Sequence, residues 1–426
     1  MLDLRFIAEN LDEVKENIRR RNVEADPDLV ASLYRERSSS IQELENLRSR
    51  RNAVAAAMKS KLEDEERTRL IEEGKQLKSE IPILESKLSE IETRMYAEAE
   101  RIPNMSHPDA PTGAGEESNT EIKRVGEPTN FGFEPKDHVQ LGQELDLFDF
   151  DTATRVSGTK FYYLKNEAVF LELALSRFAM EVLQGEGFTP MITPDIARES
   201  VVAGIGYNPR GSESNIYNLE DGEGCLVGTA EITLGGYYGG QILDAEQLPI
   251  RLAGISHCFR REAGAAGQFS KGLYRVHQFT KVEMFVLTHP SESEAELERL
   301  RSLEERIFTK LEIPFRVVDT CTGDLGGPAY RKYDLEAWMP GRGETGDWGE
   351  ITSTSNCTDY QSRRLGVRFR DGGDKQFVHM LNGTAIAISR ALIALIENHQ
   401  QADGSITIPK QLVPYTGFDR IPARKS

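Results

Sequence analysis

The chain has 426 residues, 38% hydrophobic and 28% charged, with 52 Lys and Arg against 69 Asp and Glu, a formal net charge of −17. That length predicts two or three domains with ample core, and a mean hydropathy of −0.47 without a long uncharged apolar run argues against a membrane span. Four cysteines with no C-x-x-C pair exclude a disulfide scaffold, and the acidity argues against diffuse binding to nucleic acid, although net charge hides local patches.

Charges run through the opening residues Met1–Val14, so no secretory leader is expected. The expected compartment is the cytoplasm, or an organellar matrix if a transit peptide has been removed. Residues 1–26 read as a short capping segment. From Pro27 to Arg101 the chain is dense in Glu, Lys, Arg, Leu and Ala, with no aromatic residue between Tyr34 and Tyr96. Val30, Leu44 and Met58 lie two heptads apart, and Leu47 and Val54 one heptad apart. Leu77, Leu84 and Ile91 form one later stripe, and Ile81, Leu88 and Met95 a parallel one. This spacing predicts an antiparallel pair of helices joined near Leu62–Arg67, each on the order of 50 Å long. Pro82 should kink the second helix and Gly74 should weaken it. From Asn46 to Lys61 there is no acid, while Arg48, Arg50, Arg51, Lys59 and Lys61 are basic; Lys75 and Lys78 face them from the returning helix. Such a hairpin serves either as a dimerisation or spacer element or as a basic stripe following a phosphate backbone.

Residues 102–136, rich in Pro, Gly, Ser and Asn, read as a linker. Beyond them, helical patterns fall at Glu167–Glu186, Glu294–Leu311 and Ala385–Glu397. Strand-like runs fall at Pro249–Ile255, Lys281–Leu287, Pro314–Val318 and Tyr333–Trp338. Strands in blocks predict an α+β domain with a mainly antiparallel sheet flanked by helices.

The usual nucleotide loops are absent, so any ATP must be gripped by side chains on a sheet. Three segments suit that task. Gly254–Glu262 and Tyr274–Phe285 flank a Gly-rich loop; Arg260 and Arg261 are planar cations suited to carboxylate or phosphate, and Phe279 suits a base. A surface hairpin with routine salt bridges is the alternative. In Asp347–Tyr360, Glu350 precedes a hydroxyl-rich run, which reads as a magnesium site or as a polar strand edge. In Met380–Arg390, Gly383 allows a tight strand-to-helix turn, and Arg390 in the following apolar helix either snorkels or meets an anion.

Taken in order, these segments resemble the class II aminoacyl-tRNA synthetases. Phe259-Arg260-x-Glu262 with Arg275-x-His277-Gln278-Phe279 resembles the second motif of that class, Gly383 to Arg390 the third, and Glu186 to Pro194 the first, the dimer-interface motif. The helical hairpin, Thr229-Ala230-Glu231, Lys281-Val282-Glu283 and Ser355 to Arg364 narrow the resemblance to the seryl-tRNA synthetases of the common bacterial and organellar type.

The resemblance implies a helical tRNA-binding arm over residues 1–104 with its long hairpin at about 28–101, a linker over 105–136 and a class II catalytic domain over 137–426. It implies formation of seryl-adenylate from serine and ATP, then transfer to serine tRNA, with selenocysteine tRNA as a further acceptor. Thr229, Ala230, Glu231, Glu283, Asn382 and Thr384 would surround serine. Arg260 would bridge the serine carboxylate and the α-phosphate, and Arg390 would grip the γ-phosphate. Glu262 would touch the adenine edge with Phe279 stacked on its face, and Arg261, Val276, Ile351 and Thr352 would also bind ATP. Glu350 and Ser353 would hold Mg²⁺, and no zinc site is expected. Arg48, Arg50, Arg51, Lys59, Lys61, Lys75 and Lys78 would meet tRNA. In the family the arm of one subunit serves the active site of the other, so a homodimer is expected, with neither membrane nor DNA as partner. Two departures stand out: Ala385 where many members have a second glycine, which would tighten the turn, and Tyr360 where many have Phe.

Two rival readings remain at this point. A class II paralogue that activates an amino acid without charging tRNA would be expected to lose the arm, which this chain keeps. A non-enzymatic coiled-coil protein would have no use for Arg260, Glu262, Glu350 and Arg390 in this order.

Overall fold

The computed structural model describes residues 1–208, 214–220, 222, 224–263 and 269–424. They form two compact units, Met1–Met105 and Ser106–Ser426.

In the first unit, helices α1 (Leu4–Glu9) and α2 (Leu11–Arg20) precede the long α3 (Pro27–Ala57) and α4 (Asp64–Ala99). The Asp26 carboxylate caps α3 by accepting from the Leu29 amide at 2.9 Å, and Pro27 takes the first helical position, where no amide is needed. Val30 and Leu44 on α3 and Leu70, Leu77, Ile81, Ile91 and Met95 on α4 are buried along the shared seam. Ion pairs Arg37–Glu92 (2.8 Å), Arg48–Glu85 (2.7 Å), Arg50–Glu73 (2.8 Å) and Glu36–Lys87 (2.9 Å) cross it. At such exposure water screens these pairs strongly, so the apolar seam does most of the holding. At the base, Asn17 and the buried Arg21 both donate to the Asn104 carbonyl, at 3.0 and 2.9 Å.

Two expectations change. The turn is residues 58–63 rather than 62–67, because Asp64, Glu65 and Glu66 make the first turn of α4, where acids favour the helix N-terminus. And α4 continues through Gly74 and Pro82. Pro82 sits on the exposed side, where solvent can meet the carbonyl that lost its amide donor.

In the second unit an eight-stranded sheet carries the site. Its strands in chain order are β1 (Thr120–Val125), β2 (Thr189–Ile192), β3 (Ile250–Phe259), β4 (Gln278–Thr288), β5 (Phe315–Asp319), β6 (Arg331–Met339), β7 (Asp347–Asn356) and β8 (His379–Ala387). The spatial order is β1-β5-β6-β7-β8-β4-β3-β2. Every neighbouring pair is antiparallel except β2–β3, which is parallel. One face packs on α5 (Glu167–Gln184), α8 (Ser293–Lys310) and α10 (Ile388–Asn398), whose Leu171, Leu300 and Leu392 join Val282, Met284 and Leu335 in the main core. Short helices α6 (Glu199–Ile205), α7 (Glu231–Gly236) and α9 (Tyr360–Leu365) lie in the same unit.

The segment read as a linker supplies an edge strand: β1 pairs with β5 from Thr120 to Val125. Its first five residues are exposed, so no apolar alternation marks it. The third segment also differs. The helix begins at Ile388, and Ala385–Ala387 complete β8; one apolar run crosses from strand to helix, so periodicity cannot mark the border. Gly383 lies within the strand, outside the left-handed region, and makes no turn. A Cβ there would fall 2.8 Å from Thr354 Oγ1 and 3.1 Å from Met284 Cε, so glycine lets β7 and β8 approach. Ala385, fully buried in that strand, tightens no turn either.

Candidate active site

A cleft of about 450 Å³ opens over the middle of the sheet. Two bulges aim its side chains. In β7 the register against β6 slips at Ile351, so the half-exposed positions change from Trp348 and Glu350 to Ser353 and Ser355. Strict alternation would send Glu350 and Ser353 to opposite faces; the extra residue puts both on the cleft side. In β8 the register against β4 slips at Ala385, so Asn382 and Thr384 share the cleft with Ala387.

One end of the cleft is small and buried. Glu283, on β4, accepts a hydrogen bond from Thr384 Oγ1 at 3.2 Å and forms an ion pair with Lys281, whose Nζ also donates to Thr384 Oγ1 at 3.3 Å. Glu231, 7% exposed, accepts from Gln361 Nε2 (2.8 Å), Asn382 Nδ2 (2.9 Å) and the Tyr207 hydroxyl (3.0 Å). Burial, then the neighbouring charge of Glu283, pushes the Glu231 carboxyl up to about 7.

The other end is cationic. Arg390 donates to the Glu350 carbonyl at 2.8 Å, pairs with its carboxylate at 3.2 Å and lies 4.6 Å from the Tyr274 ring centre. Burial raises the Glu350 carboxyl, but the charges of Arg390, Lys332 and Arg260 outweigh it and hold the group well below the carboxylate range. Its side chain is 44% exposed, so water screens part of this effect. Arg260 donates to the Gly228 carbonyl at 3.2 Å and lies 5.2 Å from the Phe279 ring centre. Glu262 takes a left-handed φ of 49° and pairs with Arg275 at 3.3 Å. Lys332 pairs with Asp334 at 2.9 Å.

Of the expected site residues, Arg260, Glu262, Val276, Phe279, Glu350, Ile351, Thr352, Ser353 and Arg390 line this cleft, as do Glu231, Glu283, Asn382 and Thr384. Three do not. The Thr229 hydroxyl is buried and accepts from the Glu231 amide at 3.2 Å, Ala230 belongs to an apolar cluster behind the site, and Arg261 is exposed outside the cleft. Sequence reasoning gave no site role to Tyr207, Lys281, Lys332 and Gln361, although Lys281 and Gln361 lie in segments that carried the resemblance. Lys281 had a signal, because K-x-E in a strand puts both charges on one face; Tyr207 and Gln361 had no such pattern.

Of the basic residues expected to meet tRNA, Arg48 and Arg50 are paired with Glu85 and Glu73, and Lys75 lies 3.7 Å from Glu72. Arg51, Lys59, Lys61 and Lys78 are exposed, with no ion pair among the described residues. Among those residues no group of three or more His, Cys, Asp or Glu could hold a metal ion, and no helix is long and apolar enough to cross a membrane.

The mainly antiparallel sheet, with a cleft that joins buried carboxylates to Arg260 and Arg390, has the features of a class II aminoacyl-tRNA synthetase core. Residues 217–399 match the tRNA synthetase class II core domain (G, H, P, S and T), and residues 1–106 match the seryl-tRNA synthetase N-terminal domain. The chain belongs to the seryl-tRNA synthetase family. It is 60% identical to a serine–tRNA ligase of Treponema denticola over 99% of its length and 100% of the relative's. It is 56% identical to one of Rubrobacter xylanophilus over 100% of both chains. Its structure is similar to that of seryl-tRNA synthetase from Pyrococcus horikoshii complexed with ATP, with a TM-score of 0.93, 40% identity and full coverage of both chains.

Proposed function

We infer that the chain is a serine–tRNA ligase that activates serine with ATP and transfers the seryl group to the terminal adenosine of serine tRNA. The observation that carries this is one cleft joining a small pocket of two buried carboxylates to a cationic end. Glu231 receives the serine ammonium, while Glu283 and Thr384 pair its hydroxyl. Alanine would leave Glu283 and Thr384 unpaired and is rejected strongly; threonine is excluded by the space its methyl needs.

Arg260 holds the serine carboxylate beside the α-phosphate. A carboxylate oxygen attacks phosphorus, the bond from the α-phosphorus to the bridging oxygen breaks, and pyrophosphate leaves. The nucleophile is already ionised, so no general base is required, and catalysis reduces to alignment and charge neutralisation. Arg390 steadies the departing pyrophosphate. In the second step a ribose hydroxyl of the tRNA attacks the seryl carbonyl and AMP leaves.

The cleft lining carries five cations (Arg260, Arg275, Lys281, Lys332, Arg390) and five carboxylates (Glu231, Glu262, Glu283, Asp324, Glu350). They balance, so the negative charge of a triphosphate needs an added cation. Glu350 and Ser353, a hard-oxygen pair on one face of β7, suit Mg²⁺, which when bound would neutralise phosphate charge.

Arg51, Lys59, Lys61 and Lys78 are the free cations suited to the tRNA backbone. A homodimer is supported by the exposed apolar side chains Phe170 (56%), Leu173 (62%) and Ile192 (88%) on α5 and β2. Sedimentation of Leu173→Asp should show a monomer; a persistent dimer would place the interface elsewhere. A cytoplasmic setting suits this activity.

The activity is tested by ATP–pyrophosphate exchange over a panel of amino acids. Serine alone should support exchange; exchange with another amino acid and none with serine would overturn the reading.

A further inference from the structure

Tyr207 reaches the serine pocket through local backbone geometry. Helix α6 ends at Ile205, and Gly206 follows in the left-handed region with φ 112°. The Gly206 amide bonds the Ala203 carbonyl at 3.0 Å, and the Tyr207 amide reaches back to the Val202 carbonyl at 3.2 Å, as in a Schellman ending. A Cβ at position 206 would lie 2.5 Å from Pro328 Cγ, so this ending requires glycine on two counts. The turn delivers Tyr207 to the cleft lining, with its hydroxyl 3.0 Å from Glu231 Oε2.

A second tie joins the same parts. The Gln361 amide nitrogen, on α9, donates to the Ile205 carbonyl at 3.1 Å and to Glu231 Oε1 at 2.8 Å. The end of α6 is thereby fastened to the carboxylate that Tyr207 meets. Asn382 also donates to Oε1, so that oxygen is doubly held, whereas Tyr207 is the donor on Oε2.

We propose that Tyr207 is a positioning residue for serine selection, its hydroxyl holding the Glu231 carboxylate as the anionic seat for the substrate ammonium. This rests on the reading of Glu231 as the ammonium site. The electrostatic setting shows why a donor is needed. Lys281 and Glu283 face Glu231 from β4, Gln361 from α9 and Asn382 from β8, while Arg260 beyond β3 faces Tyr207. Burial and Glu283 drive the Glu231 carboxyl up to about 7; Gln361, Lys281 and Tyr207 oppose them. Burial, then the charge of Glu231, pushes the phenol well above its usual range, so Tyr207 keeps its proton and acts as a donor.

The sign follows directly. The ammonium needs the carboxylate, so kcat/KM for serine falls as pH drops through the Glu231 pKa. Removing the Tyr207 donor disfavours the carboxylate and moves that acid limb to higher pH.

The test is serine-dependent ATP–pyrophosphate exchange from pH 5.5 to 9 with the full chain, comparing wild type, Tyr207→Phe and Glu231→Gln. Tyr207→Phe removes one oxygen from a residue that is 39% exposed, so it should fold. Its melting temperature and KM for ATP should match wild type. Its acid limb should move up by about one pH unit, and its KM for serine at pH 7 should rise about five-fold. A profile that superposes on wild type would overturn the proposal, as would a lower KM, which would mean that Tyr207 competes with the ammonium for Oε2. Glu231→Gln separates the two ideas. If it saturates with serine like wild type, the ammonium site itself is misassigned; if it loses serine while Tyr207→Phe is silent, only the role of Tyr207 fails.

Discussion

Gly383→Ala tests whether this glycine serves close strand packing or backbone freedom. Its φ lies outside the left-handed region, so alanine adds no backbone strain. The new methyl would lie 2.8 Å from Thr354 Oγ1, and 3.1 Å from both Thr354 Cβ and Met284 Cε. Thr354 is fully buried and Met284 packs in the main core, so neither can swing away freely. Overpacking of this kind costs roughly 1–3 kcal/mol. At about 3 °C per kcal/mol in a domain of this size, the melting temperature should fall by about 3–9 °C. The damage also reaches function, because Thr354 Oγ1 donates to the Asn382 carbonyl at 3.0 Å and Asn382 donates to Glu231 at 2.9 Å. KM for serine should therefore rise while KM for ATP changes little. Thermal melting and exchange kinetics measure both effects, and a double-mutant cycle with Thr354→Ala decides the cause. Removing the hydroxyl that the new Cβ strikes should recover at least about 1 kcal/mol of the loss. If Thr354→Ala leaves the cost of Gly383→Ala unchanged, the close-approach argument is wrong.

Two further perturbations separate chemistry from folding. Arg390→Ala should lower kcat/KM for ATP in exchange by about 10²–10⁴-fold, the equivalent of one or two charge-assisted bonds to phosphate at about 1.5–3 kcal/mol each. Because Arg390 also ties Glu350 to Tyr274, melting should drop by a few degrees; exchange within ten-fold of wild type would contradict its phosphate role. Replacing Arg51, Lys59, Lys61 and Lys78 together by Glu should abolish tRNA charging at 150 mM salt and leave exchange intact. Charging that persists with an unchanged salt dependence would show that these cations do not meet tRNA.

The helices and the long strands were legible because each follows one period. Leu77–Leu84–Ile91 marks a heptad, and Pro249–Ile255 and Lys281–Leu287 read as strands. What the sequence hid are breaks of period. The slips at Ile351 and Ala385 invert side-chain alternation, and nothing in Glu350-Ile-Thr-Ser353 or Thr384-Ala-Ile-Ala387 announces an extra residue. The slip at Ala385 is fixed by pairing with β4, distant in sequence, and the slip at Ile351 by pairing with β6 in a hairpin, so both are facts of strand pairing rather than of local sequence. The same holds for β1, whose exposed residues join the sheet only because β5 offers an edge. Glu231 was reached by resemblance, but its partner Tyr207 follows the end of α6 and its partner Gln361 lies on α9, at positions where a tyrosine and a glutamine carry no signal alone.

The distribution of charge resolves the apparent conflict between a net −17 and an RNA substrate. In the long helices the acids of one helix neutralise several bases of the other, as Glu85 does Arg48 and Glu73 does Arg50. Of the residues expected to meet tRNA, that leaves Arg51, Lys59, Lys61 and Lys78 as free cations on the turn and the adjoining stretches of α3 and α4. Four phosphate contacts from these residues give a salt slope near −4 × 0.7 to −4 × 0.9, roughly −3 to −4. Such a slope supports shape-dependent docking of one RNA and too little charge attraction for indiscriminate binding. A slope measured near −8 for tRNA affinity would mean that the paired arginines also open to phosphate, and the ion pairs across α3 and α4 would then be resting-state contacts exchanged on binding.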